Sequence, residues 1–91
     1  MEIRTSKGHT YRADWIGGPT SIREEIFCEI EDERALHEIA MEFDGAEITA
    51  VGKGGVETVY NGYTELARIS KEAGTKIVQI AMRRPMEKEK E

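Results

Sequence analysis

The chain has little of the residues that small proteins use for cross-links and metal sites. Its 91 residues include one cysteine, Cys28, and two histidines, His9 and His37. A single cysteine excludes an internal disulfide and the paired CxxC spacing of structural zinc sites. We therefore expect Cys28 to be a small buried hydrophobic residue, and we expect neither a metal nor a cofactor.

Long hydrophobic runs are also missing. No apolar stretch approaches the roughly 20 residues of a membrane span, and the segment MEIRTSKGHT has no signal-peptide core. We therefore expect a soluble, intracellular protein that does not contact a membrane. A single domain is predicted over residues 1–83, followed by a charged, disordered tail over residues 84–91.

Charge is unevenly distributed along the chain. The formal net charge is −5, and residues 21–48 hold ten acids against two bases. A surface of this sign repels nucleic acid directly. It favours instead a protein partner with a basic surface, because complementary charge speeds and orients association.

The alternation of apolar and polar side chains predicts six β-strands. The predicted strands cover residues 2–5, 10–16, 22–31, 46–51, 56–60 and 76–83. The first two form a hairpin around residues 6–9, where Gly8 supplies a positive φ. On the second strand, Tyr11, Ala13 and Trp15 are predicted to share one face.

The stretch EEIFCEIEDE, residues 24–33, contains six acids and no base. Its alternation predicts that the core receives Ile22, Ile26, Cys28 and Ile30, and that solvent receives Glu25, Phe27, Glu29 and Glu31. Outward acids spaced about 6.5–7 Å apart either imitate the phosphates of a DNA strand or simply keep the protein soluble. Phe27 favours an interface, because an aromatic side chain among acids needs cover.

The segment DERALHEIAMEFDG, residues 32–45, has the spacing of an amphipathic helix. Its apolar stripe is Leu36, Ile39, Ala40 and Phe43. Asp32 is the predicted N-cap, with a later start near His37 as the alternative. Gly45 is predicted to adopt the left-handed conformation that ends many helices.

The sequence leaves the secondary structure of residues 61–73 open. Asn61 and Gly62 between two tyrosines predict a hairpin turn, or alternatively a bulge within one long strand. Residues 63–73 fit either a helix or a strand, and the strand is favoured, with a bulge that brings Leu66 and Ile69 to one face. The predicted fold class is α+β, a mostly antiparallel sheet of about 5–6 strands with one helix packed on one face.

Four stretches, GHTYRADW, ALHEIAMEFDG, YNGYTELARI and VQIAM, resemble small uncharacterised proteins encoded in phages and prophages of Gram-positive bacteria. The similarity spans residues 2–83. It implies a phage setting, either the cytoplasm of the bacterial host or the virion, and transfers no functional residue. Small phage proteins of this kind are commonly either virion components or inhibitors that bind host proteins.

Catalytic interpretations of the sequence are weak. A Cys28–His37 pair needs a stabilised thiolate, whereas Cys28 is predicted to be buried beside acids. Paired carboxylates need a substrate cleft that a domain of this size has little material to build. The sequence therefore predicts a protein that is not an enzyme.

Two surfaces remain as predicted interfaces. One is the acidic outer strand face, and the other is an aromatic set of Tyr11, Trp15, Tyr60 and Tyr63. The residues selected as protein-interface candidates are Glu25, Phe27, Glu29, Glu31, Tyr60 and Tyr63. The predicted function is an acidic inhibitor that binds a host defence or nucleic-acid-handling protein. The alternatives are a self-associating component of a phage tail or baseplate and a small-ligand-binding domain.

Overall fold

A seven-stranded antiparallel sheet forms the body of the computed structural model, which describes residues 1–19 and 24–85. In chain order the elements are β1 (Glu2–Thr5), β2 (Thr10–Gly17), β3 (Glu25–Glu31), α1 (Leu36–Phe43), β4 (Ile48–Val51), β5 (Glu57–Tyr60), β6 (Glu65–Lys71) and β7 (Ile77–Arg83). The predicted α+β class with one helix is confirmed. The described strands number seven instead of about 5–6, since the ambiguous residues 65–71 form a strand.

The strand order is β5-β4-β1-β2-β3-β7-β6. Three hairpins, β1–β2, β4–β5 and β6–β7, account for half of the pairings. Strand β3 pairs along its whole length with β7, from Glu25 opposite Arg83 to Glu31 opposite Ile77. The prediction for residue 22 falls outside the described residues, as does the tail beyond residue 85.

The core lies between the inner face of the sheet and α1. The fully buried side chains include Ile3, Ile26, Ile30, Ile48 and Val78 from the strands and Ile39 and Phe43 from the helix. The rings of Tyr11 and Phe43 are 4.8 Å apart. The predicted apolar stripe of the helix is confirmed, as is the burial of Cys28.

The start of the helix was predicted incorrectly. Asp32 is not the N-cap, because α1 begins at Leu36, close to the alternative start near His37. Asp32 instead accepts hydrogen bonds from the backbone and side chain of Arg34. At the other end, Gly45 has the predicted left-handed φ, +87°. Lys7 donates to carbonyls of the last turn and so offsets the negative end of the helix dipole.

The connection between β5 and β6 requires a strongly curved sheet. These two strands are the opposite edges, separated by six inter-strand spacings. In a flat sheet the edges would be about 29 Å apart. The five residue steps from Tyr60 to Glu65 span at most about 18 Å. The sheet therefore curls toward α1, so that the end of β5 and the start of β6 lie within about 18 Å of each other.

The hairpin predicted at Asn61 and Gly62 is wrong, and so is the alternative of one long strand. A turn does form, since Tyr63 donates to the carbonyl of Tyr60, and Gly62 has φ +86°. The flanking strands then diverge to opposite edges because Tyr63 enters the core and Gly45 binds the carbonyl of Thr64. The turn at Asn61 and Gly62 therefore forms although β5 and β6, the strands on its two sides, do not pair with each other.

No helix within residues 1–19 and 24–85 has the length and apolarity to cross a membrane.

The packing of α1 can be tested with two residues of the same helix. Phe43→Ala empties a fully buried position and should lower the free energy of unfolding by about 3–5 kcal/mol. Met41→Ala changes a side chain that is 69% exposed and should alter it by less than about 0.5 kcal/mol. Urea denaturation measures both. Equal effects would contradict the orientation of the helix.

Candidate protein-binding site

A bulge in β2 places Trp15 on the outer face of the sheet. Ala13 lies opposite Ile30 and Trp15 lies opposite Glu29, so Asp14 is one residue in excess. The extra residue reverses the alternation that follows it. The prediction that Trp15 shares a face with Tyr11 and Ala13 is therefore wrong. The reversal instead turns Ile16 inward, where it packs against the core.

A second bulge, in β6, does the same for Arg68. Leu66 lies opposite Met82 and Arg68 lies opposite Ala81, which leaves Ala67 in excess. Leu66 and Ile69 consequently share the inner face, as the strand interpretation of this segment predicted. Arg68 is directed to the outer face, where α1 does not cover the sheet.

These two side chains flank a shallow depression, which we call the outer groove. It has a volume of about 500 Å³. The residues that line it are Trp15, Phe27, Cys28, Arg68, Ile69, Ser70, Gln79, Ile80 and Ala81. Phe27 lies directly opposite Ala81, and Ala81 lies directly opposite Arg68. Phe27, Ala81 and Arg68 therefore form one row across three strands.

The side chain of Arg68 covers part of the Phe27 ring in this row. Its guanidinium carbon is 5.7 Å from the centre of the Phe27 ring, within the range of a cation–π contact. One Nη atom also lies 3.2 Å from Oε1 of Glu25. Glu25 is only 6% exposed although it belongs to the outer face. Arg68 thus neutralises a buried carboxylate and shields one side of Phe27, which stays half-buried.

The acidic row predicted on β3 is interrupted by neighbouring strands. Glu25 is paired with Arg68, and Glu29 accepts a hydrogen bond of 3.0 Å from Gln79. Glu31 lies opposite Arg12 on β2. The face therefore carries both acidic and basic side chains, and its half-exposed carboxylates are those of Glu29 and Glu31. It does not present the continuous row of phosphate-like charges that the sequence suggested.

The predicted interface residues do not form one surface. Phe27, Glu29 and Glu31 lie together on the outer face, whereas Tyr63 is buried in the core. Arg84, which was assigned to the disordered tail, lies 4.7 Å from the Tyr63 ring. Tyr60 is half-buried and packs against the same core. The tyrosines therefore serve packing, as does Tyr11.

Sequence reasoning missed Arg68 and Gln79 as members of the site. It named Trp15 in the aromatic set, but simple alternation put it on the face of Tyr11 instead of beside Phe27. A signal was present, because TYRADWIG keeps Tyr11, Ala13 and Ile16 on one face only if one residue is extra. The long-range partnership of Arg68 with Phe27 and Glu25 leaves no local sequence pattern.

A separate ionic cluster joins α1 to the sheet. Arg34 donates to both carboxyl oxygens of Asp32 and to both of Glu42, at 2.7–3.0 Å. These contacts lower the pKa of Asp32 and the pKa of Glu42. Tyr11 donates its hydroxyl to Glu42. Burial and that hydrogen bond raise the tyrosine pKa. His9 lies 3.8 Å from Glu42 at the edge of the cluster.

Two other reactive side chains, Cys28 and His37, are placed unfavourably for catalysis. Burial raises the pKa of the Cys28 thiol to about 12, which disfavours a thiolate at neutral pH. His37, its proposed partner, is exposed at the start of α1. Within the described ranges, no group of three or more His, Cys, Asp or Glu residues is positioned to hold a metal ion.

A second depression lies at the β6–β7 turn, with a volume of about 560 Å³. It is lined by Glu31, Glu33, Lys71, Gly74, Thr75, Lys76 and Ile77. Lys71 points its ammonium group toward the carbonyls of Glu33 and Arg34 and thereby ties β6 to the segment before α1. Among residues 1–19 and 24–85, no aromatic side chain lines this depression, so it offers less apolar contact area than the outer groove.

Comparisons of the chain with protein-family models, with curated proteins and with solved structures found no match. Function is therefore inferred from the surface of this chain itself.

The ionic cluster gives a pH-dependent prediction. Asp32 and Glu42 have folded pKa values below their ordinary values of 3.8 and 4.5. Their pairing with Arg34 therefore stabilises the fold fully above those ordinary values, and the stabilisation is lost as the pH falls from them through the lower folded pKa values. Arg34 is 44% exposed, so solvent screening limits the loss in Arg34→Gln to about 1–2 kcal/mol at pH 7.

The difference between wild type and Arg34→Gln should shrink below pH 4, as measured by urea unfolding at several pH values. Arg4→Gln is the control, because the carboxylates that pair with Arg4, those of Glu2 and Glu57, are about half exposed. A difference that stayed constant down to pH 2.5 would contradict the role assigned to Arg34.

Proposed function

We propose that this protein acts without catalysis, by binding another protein through the outer groove and the carboxylates beside it. The observation that carries the proposal is the position of Trp15 and Phe27. Both line one depression on a face that α1 does not cover, and Trp15 is 47% exposed. Tryptophan is enriched among the residues that dominate binding energy, and exposed aromatic patches mark interaction sites.

The charge beside the groove indicates the kind of partner. Asp14, Glu29 and Glu31 lie along the β2–β3 side, and Arg12 offsets one of them. An excess of negative charge around an aromatic centre suits a protein with a basic surface. It disfavours direct contact with nucleic acid, whose phosphates it would repel.

The phage setting implied by the resemblance suggests the role. A small inhibitor of a host defence or nucleic-acid-handling protein would meet a basic surface of this kind in the host cytoplasm. In this proposal the aromatic pair supplies the affinity, and the carboxylates orient the encounter.

Capture of a partner tests the proposal. The tagged protein is incubated with host lysate, and Trp15→Ala and Phe27→Ala are each expected to reduce capture of the same host protein at least tenfold. Val59→Ala is the matched control, because Val59 is 46% exposed on β5, and β5 contributes none of the residues that line the outer groove. It should leave capture unchanged.

Salt tests the electrostatic part. Capture should weaken at about 0.5 M salt, where the screening length falls to a few ångströms. Glu29→Gln combined with Glu31→Gln should weaken capture at low salt. Glu25 is left intact, because it is buried against Arg68. Capture that survives Trp15→Ala and Phe27→Ala would contradict the proposal.

The exposed edge strand β5 favours a second candidate function, self-association in a virion. Val56 and Val59 are large apolar residues exposed at this edge. An uncovered edge strand is a template for pairing with another copy. If this is the function, sedimentation should show a salt-resistant oligomer that Val59→Lys dissociates, while Trp15→Ala leaves it intact.

A further inference from the structure

We infer that Trp15 and Glu29 receive an arginine side chain of the partner protein. The inference rests on the function proposed above, since it specifies the chemistry of the partner at the same surface. On the other side of the groove the protein itself binds an arginine in this way.

Arg68 shows how this face holds a guanidinium group. It stacks on Phe27 at 5.7 Å and pairs with Glu25 at 3.2 Å, and both of these residues belong to the outer face of β3. An aromatic face gives the flat cation an apolar support, and the carboxylate accepts its hydrogen bonds. Aromatic ring and carboxylate are two residues apart on one strand, so their spacing is fixed by the pleat.

Trp15 and Glu29 repeat this combination across β2 and β3. They lie directly opposite each other on the outer face, where opposed side chains begin about 4.5–5.5 Å apart. Gln79 donates to Oε2 of Glu29 and holds the carboxylate in place. Among residues 1–19 and 24–85, no basic side chain stacks on Trp15 or forms an ion pair with Glu29.

The surrounding charges favour a cation at this position. The neighbours on β2 and β3 are Asp14, Glu31 and Arg12, and Arg12 lies opposite Glu31. With Glu29, the group carries three acids against one base. Arginine fits better than lysine, because its planar guanidinium stacks on an indole while it donates to a carboxylate.

Fluorescence provides a direct test, because Trp15 is the only tryptophan in the chain. The probe is an acetylated, amidated five-residue peptide with arginine at its second and fourth positions. A second peptide carries citrulline, which keeps the planar group without its charge. The arginine peptide should change Trp15 emission saturably, and the citrulline peptide should bind at least about threefold more weakly.

Two variants that each remove one negative charge distinguish a local arginine site from a general electrostatic attraction of the peptide. Glu29→Gln should weaken the arginine peptide about threefold to tenfold, and Glu38→Gln, on the exposed side of α1, less than twofold. Equal binding of the two peptides would overturn the inference. Equal loss in the two variants would overturn it as well, because it would show only the attraction of a net charge.

Partner capture distinguishes this inference from the proposed function. If Trp15→Ala removes capture while Glu29→Gln does not change it, the function stands and the arginine contact is wrong. If neither Trp15→Ala nor Phe27→Ala affects capture, both are wrong. If capture is lost with Trp15→Ala and with Glu29→Gln but not with Glu38→Gln, the result supports both the proposed function and the arginine contact.

Discussion

The short connection between β5 and β6 constrains the whole sheet. It joins strands that are six spacings apart, and it is too short to cross a flat sheet of that width. The sheet must therefore curl around α1, which buries Ile3, Ile26 and Ile30 completely in a chain of only 91 residues. One side of the sheet becomes a concave core, and the other is a convex face that α1 does not cover.

Curvature also accounts for the composition of that convex face. Bulges bend strands and increase their twist, and the two bulges, at Asp14 and Ala67, turn Ile16 and Ile69 into the core. The residues beside them, Trp15 and Arg68, are directed outward as a consequence. Burial of two isoleucines thus places an indole and a guanidinium on either side of Phe27. The candidate binding site is a by-product of the packing on the opposite face.

The sequence predicts what depends on local periodicity. The alternation of β3, the apolar stripe of α1 and the left-handed Gly45 all follow from neighbouring residues. Features that depend on distant residues were not predictable. The Asn61–Gly62 turn forms locally, but whether its flanking strands pair is decided by Tyr63 in the core and by the hydrogen bond from Gly45 to the carbonyl of Thr64. The face of Trp15 depends on whether Ile16 gains more from burial than Trp15 does, and the cover of Arg68 over Phe27 joins residues far apart in the chain.

The register of β2 against β3 tests the central claim most directly, because every proposal about the outer groove requires Trp15 on the convex face. NMR backbone contacts across the two strands measure it. The structure predicts contacts between Trp15 and Glu29 and between Ile16 and Cys28. Contacts between Asp14 and Glu29 and between Trp15 and Cys28 would show an unbulged strand, with Trp15 facing the core, and would contradict the account.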